Sequence, residues 1–220
     1  MPVVNDFGLL LFTLRIAAIS TLCIFPLALA LAAWSWRAGA KVRAVIDALG
    51  TLPLVLPPTA VGYVLLELFS RRGPLGFLDL LFTPAAVVVA CAVMSFPLMF
   101  TAFRVAIDSS EFRYFRIART LGCTPLRAFV RVTLPLAWRG LAGGVVLAYC
   151  RAIGEFGATI LIAGNIPGRT QTLALAIYDR VQSGREDEAG MLIVYVVLIA
   201  VASIVVSEAL VRRQRTRIET

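Results

Sequence analysis

The chain has 220 residues, of which 60% are hydrophobic and only 15% are charged, and its mean hydropathy is +0.88. A globular domain is about 45–50% apolar, so this composition excludes a water-soluble protein and indicates one that crosses a membrane several times. The formal net charge of +8 requires no nucleic acid, because basic loops on the inner side of a membrane and anionic lipid headgroups account for it.

Charge-free windows give the predicted elements in chain order. Four of them reach the ~20 residues that a helix needs to cross a bilayer, and they are 16–36, 48–66, 80–103 and 189–207. A fifth window, 140–163, is interrupted only by Arg151 and Glu155. We therefore predict an all-α membrane protein, a single domain over 1–220, with spans at about 9–36, 45–70, 80–106, 138–163 and 188–210. No basic residue precedes the first span, so we expect it to be retained rather than cleaved as a signal peptide.

Prolines interrupt three of these spans, at Pro26, Pro53, Pro57, Pro58 and Pro97. Each proline removes a backbone donor, so kinks and crevices between helices are expected. The alternative is that proline is simply commoner in membrane helices than in soluble ones.

Basic residues predict the orientation, because positive loops stay cytoplasmic. Most arginines and lysines lie in 37–47, in 104–139 and in the tail at Arg212, Arg213, Arg215 and Arg217. Fewer lie on the opposite side, at Arg71, Arg72, Arg169, Arg180 and Arg185. The N-terminus is therefore predicted outside and the C-terminus in the cytoplasm.

The longest stretch outside the spans, 108–137, is predicted to form two short cytoplasmic helices. Asp108, Ser109 and Ser110 offer N-cap oxygens, Gly122 ends the first helix, Thr124 caps the second and Pro135 limits it. One apolar face follows helical spacing; it consists of Tyr114, Ile117, Ala118 and Leu121. Such a helix lies on lipid, packs on its own bundle or presents itself to a soluble partner, and periodicity alone leaves all three open.

The same stretch carries a motif. Arg116-Ile-Ala118, three residues, Gly122, nine residues and Val132-Thr-Leu134-Pro135 resembles the EAA loop of importer permeases of the ATP-binding cassette type, Glu-Ala-Ala…Gly…Ile-x-Leu-Pro. Arg116 stands where that family has Glu, which removes any salt bridge that a glutamate makes there. The resemblance implies that this loop is a coupling helix that docks on a nucleotide-binding subunit. The residues that it assigns to coupling are Arg116, Ala118, Gly122, Leu134 and Pro135.

A nucleotide site is not expected in this chain. The stretch 164–170 is similar to a phosphate-binding loop, but it has three residues rather than four between its glycines, and Arg169 in place of lysine. It is also predicted on the outer side. ATP and magnesium are therefore expected on a partner subunit, with no cofactor and no catalytic residue here.

Further strings resemble the molybdate permeases specifically: GEFGAT and AGNIPGRTQTLALAIY within 151–178, LPLVLPPTAVGY at 52–63 and RRGPLG at 71–76. The resemblance covers nearly the whole chain. It implies the membrane subunit of an ATP-driven molybdate importer in a prokaryotic inner membrane, a transport subunit rather than an enzyme. The implied partners are a second copy, two cytoplasmic nucleotide-binding subunits and a molybdate-binding protein. Sulfate and tungstate permeases are the alternatives, and the GRTQT continuation after Pro167 favours molybdate over sulfate.

Two features of 151–169 carry candidate chemistry. Arg151 lies eleven residues beyond Gly140, or ~16 Å, close to the bilayer midplane. A buried arginine there requires a partner, which Glu155 at i+4 supplies; the pair either orients the helix or opens to meet an anion in transit. The outer loop is expected to expose backbone N–H groups to an oxyanion, to contact the delivering protein, to close the outer mouth or to form a plain turn. Its residues are Gly164, Asn165, Pro167, Gly168 and Arg169.

Other classes have less support. The chain has no histidine, and its four cysteines lack metal or disulfide spacing, so no metal site is expected. A secondary transporter driven by an ion gradient predicts inverted repeats and discontinuous helices. The five unlike spans show no such symmetry.

Overall fold

In the computed structural model, which describes residues 6–110 and 112–212, the backbone forms helices and no strand. This confirms the all-α prediction. The α-helices are α1 Asp6–Arg37, α2 Ala40–Val55, α3 Pro58–Phe69, α4 Pro84–Asp108, α5 Phe112–Thr120, α6 Pro125–Ala128, α7 Leu134–Ile153, α8 Gly157–Ala163, α9 Leu173–Gln182 and α10 Glu186–Arg212. Gly76–Leu78 forms one 3₁₀ turn, and Phe129–Thr133 forms a π-helical stretch.

Three helical stretches within the described residues are long and apolar enough to cross a membrane: Asp6–Arg37, Pro84–Asp108 and Pro125–Ile153. The first two occupy the positions of the first and third predicted spans. The fifth predicted span, 188–210, falls inside α10, but several side chains after Ala202 lie outside the description. The total of five spans therefore stays a prediction.

The second predicted span, 45–70, is wrong as a single helix. Here α2 ends at Val55, Leu56 and Pro57 are extended, and α3 begins at Pro58 after a bend of 106°. Pro57 and Pro58 supply no N–H, and a residue that precedes proline is pushed out of the helical region. The predicted kink is confirmed, and it is sharp enough to divide the element at what we call the α2–α3 break, residues 56–57.

The fourth predicted span, 138–163, is also divided. A continuous helix runs through α6, the π-helical stretch and α7, so Pro135 does not limit a separate helix. The π geometry accommodates this proline, because the Leu134 N–H donates to the Phe129 carbonyl five residues back. The helix then ends at Ile153, and α8 starts at Gly157. Residues 154–156 form the α7–α8 break.

Helix α4 lies at the centre of the bundle and packs against α1, α2, α7 and α8. Small residues permit the α4–α7 contact: a Cβ on Gly140 would lie 2.5 Å from Ala106 Cβ, and one on Gly144 would lie 2.8 Å from Ala102 Cβ. Close backbone approach of this kind is the usual way in which membrane helices associate. The resulting core places the α7–α8 break against α4, where Cys91 Sγ lies 3.5 Å from the Ala152 carbonyl oxygen.

Segments that were predicted on one side of the membrane lie together at one end of the bundle. Arg37 donates to the Pro125 carbonyl at 3.1 Å, Arg43 pairs with Asp108, and Arg104 pairs with Asp47 at 2.9 Å. At the other end Arg180 pairs with Asp6 at 2.5 Å. The grouping of the loops agrees with the prediction, whereas the end that faces the cytoplasm stays a prediction. Arg213, Arg215 and Arg217 lie outside the described residues.

Candidate functional site

The α5–α6 segment, residues 112–128, contains the turn at Gly122 and Thr124 that its sequence predicts. Gly122 adopts φ +87°, and the Cys123 N–H returns to the Ala118 carbonyl at 3.0 Å. This is the left-handed helix end that glycine favours. Thr124 Oγ1 then accepts from the Arg127 N–H at 3.3 Å and caps α6. Gly122 of the motif and the neighbouring Thr124 therefore shape the turn between α5 and α6.

The predicted N-cap of α5 is wrong. The Ser109 and Ser110 hydroxyls donate back to the Ala106 and Ile107 carbonyls at 2.9 and 2.6 Å, so they close the end of α4. Asp108 pairs instead with Arg43. Helix α4 simply runs further than its apolar window, and residue 111, which precedes α5, lies outside the described residues.

The predicted apolar face of α5 divides into two. Ala118 turns inward together with Phe115, whose ring packs edge-on against Trp36 at 5.0 Å between centroids. Ile117 and Leu121 point outward and are 44% and 80% exposed. Tyr114 is also half-exposed. The inward residues attach α5 to the bundle, and the outward ones leave apolar surface that this chain does not cover.

Cationic side chains border that surface. Arg113 and Arg116 are exposed and line a shallow hollow of about 430 Å³ with Ile117 and Thr120. No acidic side chain among the described residues pairs with either arginine. Of the two remaining motif residues, Leu134 is half-buried against the core, and Pro135 is exposed at the start of α7. The arrangement can accept an external partner that offers apolar and acidic groups.

Arg151 and Glu155 form the predicted ion pair, with Arg151 Nη1 2.7 Å from Glu155 Oε2. Glu155 is only 1% exposed, and its Oε1 accepts from the Ala158 N–H at 2.9 Å. The carboxylate therefore joins the last turn of α7 to the first turn of α8 across the break. The i+4 spacing predicted a pair within one helix. Instead, Arg151 lies in the last turn of α7 and Glu155 lies in the break that follows it.

The first turns of α3 and α8, directly after the two breaks, pack on each other. A Cβ on Gly157 would lie 2.8 Å from Pro58 Cβ, and one on Gly62 would lie 2.8 Å from Ala158 Cα. Helix α3 thus packs directly on α8 through glycines. In the sequence, Pro57 and Pro58 within an apolar window indicated a kink. Nothing in the sequence indicated which helix packs against that kink.

The 164–169 loop, which was predicted on the outer side, is a closed turn. Gly164 and Gly168 adopt φ +67° and +73°. The Ile166 carbonyl accepts the N–H groups of Arg169, Thr170 and Gln171 at 2.9 to 3.1 Å, and the Ile166 N–H donates to Thr170 Oγ1 at 3.1 Å. The Ile166 and Arg169 N–H groups lie within the predicted loop and are used internally, so the alternative in which they face an oxyanion is wrong for these two.

The exposed part of the loop is its tip, Pro167 to Arg169. Gly168 and Arg169 line a hollow of about 290 Å³ beside Gly8 and Phe12 of α1. Thr13 of α1 also holds the loop, because its Oγ1 accepts from the Leu173 N–H at 3.0 Å. Asn165 Oδ1 is buried without a hydrogen-bond partner.

The predicted site residues do not converge on one point. The α5–α6 segment lies at the end of the bundle where Arg37 meets Pro125, the ion pair lies inside it, and the loop packs on α1 near Leu9. Sequence reasoning missed one polar cluster, which joins α1, α2 and α4. Its centre is Asp47, which accepts a hydrogen bond from the Ser35 hydroxyl at 2.8 Å and forms an ion pair with Arg104 at 2.9 Å. The i, i+4 spacing of Arg43 and Asp47 was its only signal in the sequence.

Comparison with known proteins gives the chain its relatives. Residues 24–219 match the family described as binding-protein-dependent transport system inner membrane component. The molybdenum transport system permease ModB of Escherichia coli K12 is 39% identical over 215 residues, 94% of each chain. A putative molybdenum permease of Bacillus subtilis, YvgM, is 35% identical over 84% of this chain and 85% of its own.

A solved structure shares the fold. It is an inward-facing structure of the MetNI methionine ABC transporter, with a TM-score of 0.70, 18% identity, and coverage of 90% of this chain and 93% of that one. The chain therefore shares its overall fold with a chain of that transporter. Together with the family match over most of the sequence, this makes the chain a multi-pass membrane protein and a member of the family of inner-membrane components of binding-protein-dependent transport systems.

Proposed function

We propose that this chain is the membrane-spanning permease subunit of an ATP-driven molybdate importer. The observation that carries the proposal is 39% identity to a molybdenum permease over 94% of both chains. Other molybdenum permeases align at 33–38% over most of their length. The family match gives the transport class, and these relatives give the substrate.

Energy enters, in this proposal, through the outward face of α5. Ile117 and Leu121 supply apolar contact, while Arg113 and Arg116 supply charge. Two copies of the permease would each dock one ATPase subunit, which binds ATP and magnesium. The closed turn at 166–171 supports this division of labour, because four of its N–H groups, those of Ile166, Arg169, Thr170 and Gln171, are engaged within the turn and are not free for a nucleotide phosphate.

The orientation follows from the same assignment. Docking of a cytoplasmic ATPase on α5 places that end of the bundle, with Arg37, Arg43 and Arg104, inside the cell, as the positive-inside rule requires. The opposite end, with the 164–169 loop, then faces a molybdate-binding protein outside. The loop tip is exposed and the turn behind it is closed by hydrogen bonds, which suits contact with that protein or closure of the outer mouth.

Transport would proceed by a population shift between two openings of the dimer. ATP draws the two ATPase subunits together and biases the bundle toward the outward opening, and hydrolysis resets it. Here α5 would transmit the motion through its buried face, because Phe115 packs on Trp36 of α1. The ion pair between Arg151 and Glu155 cancels a charge inside the bundle rather than trapping the dianion.

The structure supplies one observation in favour of a different class. Two predicted spans are discontinuous, which is also a property of transporters driven by ion gradients. Discontinuity alone therefore does not separate the two classes. The two classes are separated by whether transport depends on ATP and on a second subunit.

The test is uptake of labelled molybdate into proteoliposomes that contain the permease, its ATPase subunit and the binding protein. Uptake is expected only with ATP on the ATPase side, and tungstate is expected to compete better than sulfate. Purified permease alone should hydrolyse no ATP, and a complex with an inactive ATPase subunit serves as the control. Uptake that follows an ion gradient without ATP would contradict the proposal, and preferential competition by sulfate would reassign the substrate.

A further inference from the structure

A groove of about 540 Å³ lies on the surface of the bundle between α1 and α2, and we call it the α1–α2 groove. Its walls are apolar, with Leu27 and Leu31 from α1 and Val45 and Leu49 from α2, and Phe96 of α4 forms its floor. Val45 and Leu49 are 58% and 65% exposed. The described part of the chain therefore leaves the groove open.

The length of the groove matches one leaflet of a bilayer. It follows α2 from Lys41 to Gly50, which is nine residues or ~14 Å, and half of a hydrocarbon core is ~15 Å thick. Its inner end is closed, because Gly50 packs on the Phe100 ring, where a Cβ would lie 2.6 Å from Cε1. Helix α1 is long and apolar enough to cross the membrane, so whatever fills a groove along it must be apolar over this length.

The mouth of the groove is cationic. Lys41 is exposed and pairs with no acidic side chain among the described residues. It lies in the first turn of α2, whose N-cap, Gly39, supplies no side-chain cap, so uncapped N–H groups and the helix dipole add to its charge. Trp34 lines the groove and is 58% exposed, and tryptophan is enriched at the level of the headgroups. Basic pockets between membrane helices bind anionic headgroups in this way.

A second copy of the chain offers no matching charge. Two copies of a symmetric pair insert in the same direction, so the same end of each copy would meet this mouth. The acidic side chains that the structure describes at this end are Asp47 and Asp108, and they already pair with Arg104 and Arg43. A phospholipid, in contrast, brings a free anion for Lys41 and an apolar chain for the groove.

We propose that the α1–α2 groove binds an anionic phospholipid, with its phosphate at Lys41 and an acyl chain along the groove over Phe96. The lipid would join α1 to α2 in addition to the Ser35–Asp47 hydrogen bond of 2.8 Å. Assignment of this lipid to the cytoplasmic leaflet rests on the orientation in the proposed function. The binding itself requires neither molybdate nor an ATPase subunit.

The test is quenching of Trp34 fluorescence by brominated lipid in proteoliposomes of the full-length permease. The variants Trp36→Phe and Trp138→Phe, combined, leave Trp34 as the single tryptophan of the chain. Phosphatidylcholine vesicles receive a small fraction of either dibromo-phosphatidylglycerol or dibromo-phosphatidylcholine. Quenching as a function of that fraction gives the binding constant of each lipid at Trp34.

Three further variants separate charge from groove. Lys41→Gln removes the charge at the mouth. Arg127→Gln is its matched control, because it removes an exposed charge from α6 at the same end of the bundle but outside the groove. Val45→Phe keeps the charge and narrows the groove.

Phosphatidylglycerol is expected to bind at Trp34 about fivefold more tightly than phosphatidylcholine, the ratio that one lysine provides near an anionic headgroup. Lys41→Gln should abolish this preference, and Arg127→Gln should preserve it. Val45→Phe should reduce quenching by phosphatidylglycerol, because the acyl chain loses room. The parent chain, with all its tryptophans, gives an independent measurement: mass spectrometry of the intact permease should detect bound phosphatidylglycerol, and Lys41→Gln should lose it.

Equal quenching by the two lipids would overturn the inference, because the groove would then meet only bulk lipid. Absence of quenching by either lipid would overturn it as well, since another protein chain would then cover Trp34. A preference that Arg127→Gln abolishes would assign the attraction to the whole basic end of the bundle. Unchanged quenching in Val45→Phe would place the acyl chain outside the groove. Each of these results leaves the transport proposal intact, and failed molybdate uptake leaves the lipid result intact.

Discussion

The α5–α6 segment and the α7–α8 break both contain arginines beside apolar residues, but their interaction partners lie in different places. At the break, Arg151 forms an ion pair with the buried Glu155 of the same chain, and the Ala158 N–H donates a hydrogen bond to the other carboxylate oxygen. In the α5–α6 segment, Leu121 and Arg116 face outward without a covering element. The break should therefore determine the stability of the permease itself, and the segment its association with another subunit.

The largest expected effect is on stability and comes from the break. Glu155→Ala leaves Arg151 unpaired and the Ala158 N–H without its acceptor, which should lower the free energy of unfolding by about 3–5 kcal/mol. Unfolding in mixed micelles, followed by tryptophan fluorescence, measures it. The double variant Arg151→Met with Glu155→Gln removes both charges and keeps an acceptor, so it should recover most of the loss.

An exposed ion pair is the matched control for that substitution. Glu188 is 52% exposed and lies 3.6 Å from Arg185 and 3.7 Å from Arg180. Arg180 keeps its pairing with Asp6 when Glu188 is removed, so Glu188→Ala should change the free energy of unfolding by less than about 1 kcal/mol. If Glu155→Ala lowers the free energy of unfolding no more than Glu188→Ala does, the ion pair does not stabilise the α7–α8 break. That result would contradict the claim that the break determines the stability of the permease.

The next effect is on association. Leu121→Asp puts a charge into the uncovered apolar face and should weaken binding of the ATPase subunit by about 2 kcal/mol or more, while the free energy of unfolding of the permease alone stays unchanged. Quantitative co-purification measures the binding. Phe77→Asp is the control, since Phe77 is equally exposed at 79% but lies in the Gly76–Leu78 turn, away from α5. Equal binding of the ATPase subunit by the Leu121→Asp and Phe77→Asp variants would show that α5 is not part of the interface.

A smaller effect tests the contact between α3 and α8. A Cβ on Gly62 meets Ala158 backbone atoms at 2.8 and 3.2 Å, so Gly62→Ala must separate α3 from α8 and should cost about 1–3 kcal/mol of unfolding free energy. Gly154→Ala is its control, because nothing lies within 4 Å of that Cβ and φ is −88°. If both variants unfold at the same denaturant concentration as the parent, the α3–α8 contact is looser than described.

The smallest effect concerns the residue that departs from the family motif. Arg116 is exposed and lacks an acidic partner among the described residues, so Arg116→Glu should change the free energy of unfolding by less than about 0.5 kcal/mol. The substitution should weaken ATPase binding, because the new carboxylate meets the acidic groups that the surface is proposed to accept, but by less than Leu121→Asp since the charge is exposed. The same two assays measure both. A large change in the free energy of unfolding would show that Arg116 stabilises the permease itself rather than its contact with the ATPase subunit.

Sequence patterns predicted the features that depend on local chemistry. Helix ends at Gly122 and Thr124 follow from the φ that glycine permits and from a hydroxyl cap, and the Arg151–Glu155 pair follows from the cost of a lone charge in lipid. The apolar windows located α1 and α4 for the same reason.

Features that depend on packing were not predictable from these patterns. Hydropathy cannot distinguish a straight span from one divided at Pro57 or at Gly154, because both halves stay apolar. Ala118 and Ile117 are adjacent apolar residues on one helix, and only the position of Trp36 determines which turns inward. Likewise, the sequence left open whether the Arg169 N–H faces outward, because its acceptor, the Ile166 carbonyl, is defined only by the folded loop.

The most direct measurement of how energy reaches this permease is ATP-driven molybdate uptake by proteoliposomes of the complete importer, compared between the parent chain, Leu121→Asp and Phe77→Asp. The parent and Phe77→Asp should accumulate molybdate with ATP, and Leu121→Asp, although folded, should not. Accumulation by Leu121→Asp at the rate of the parent would contradict coupling through α5, and accumulation by the parent without ATP would contradict the importer itself.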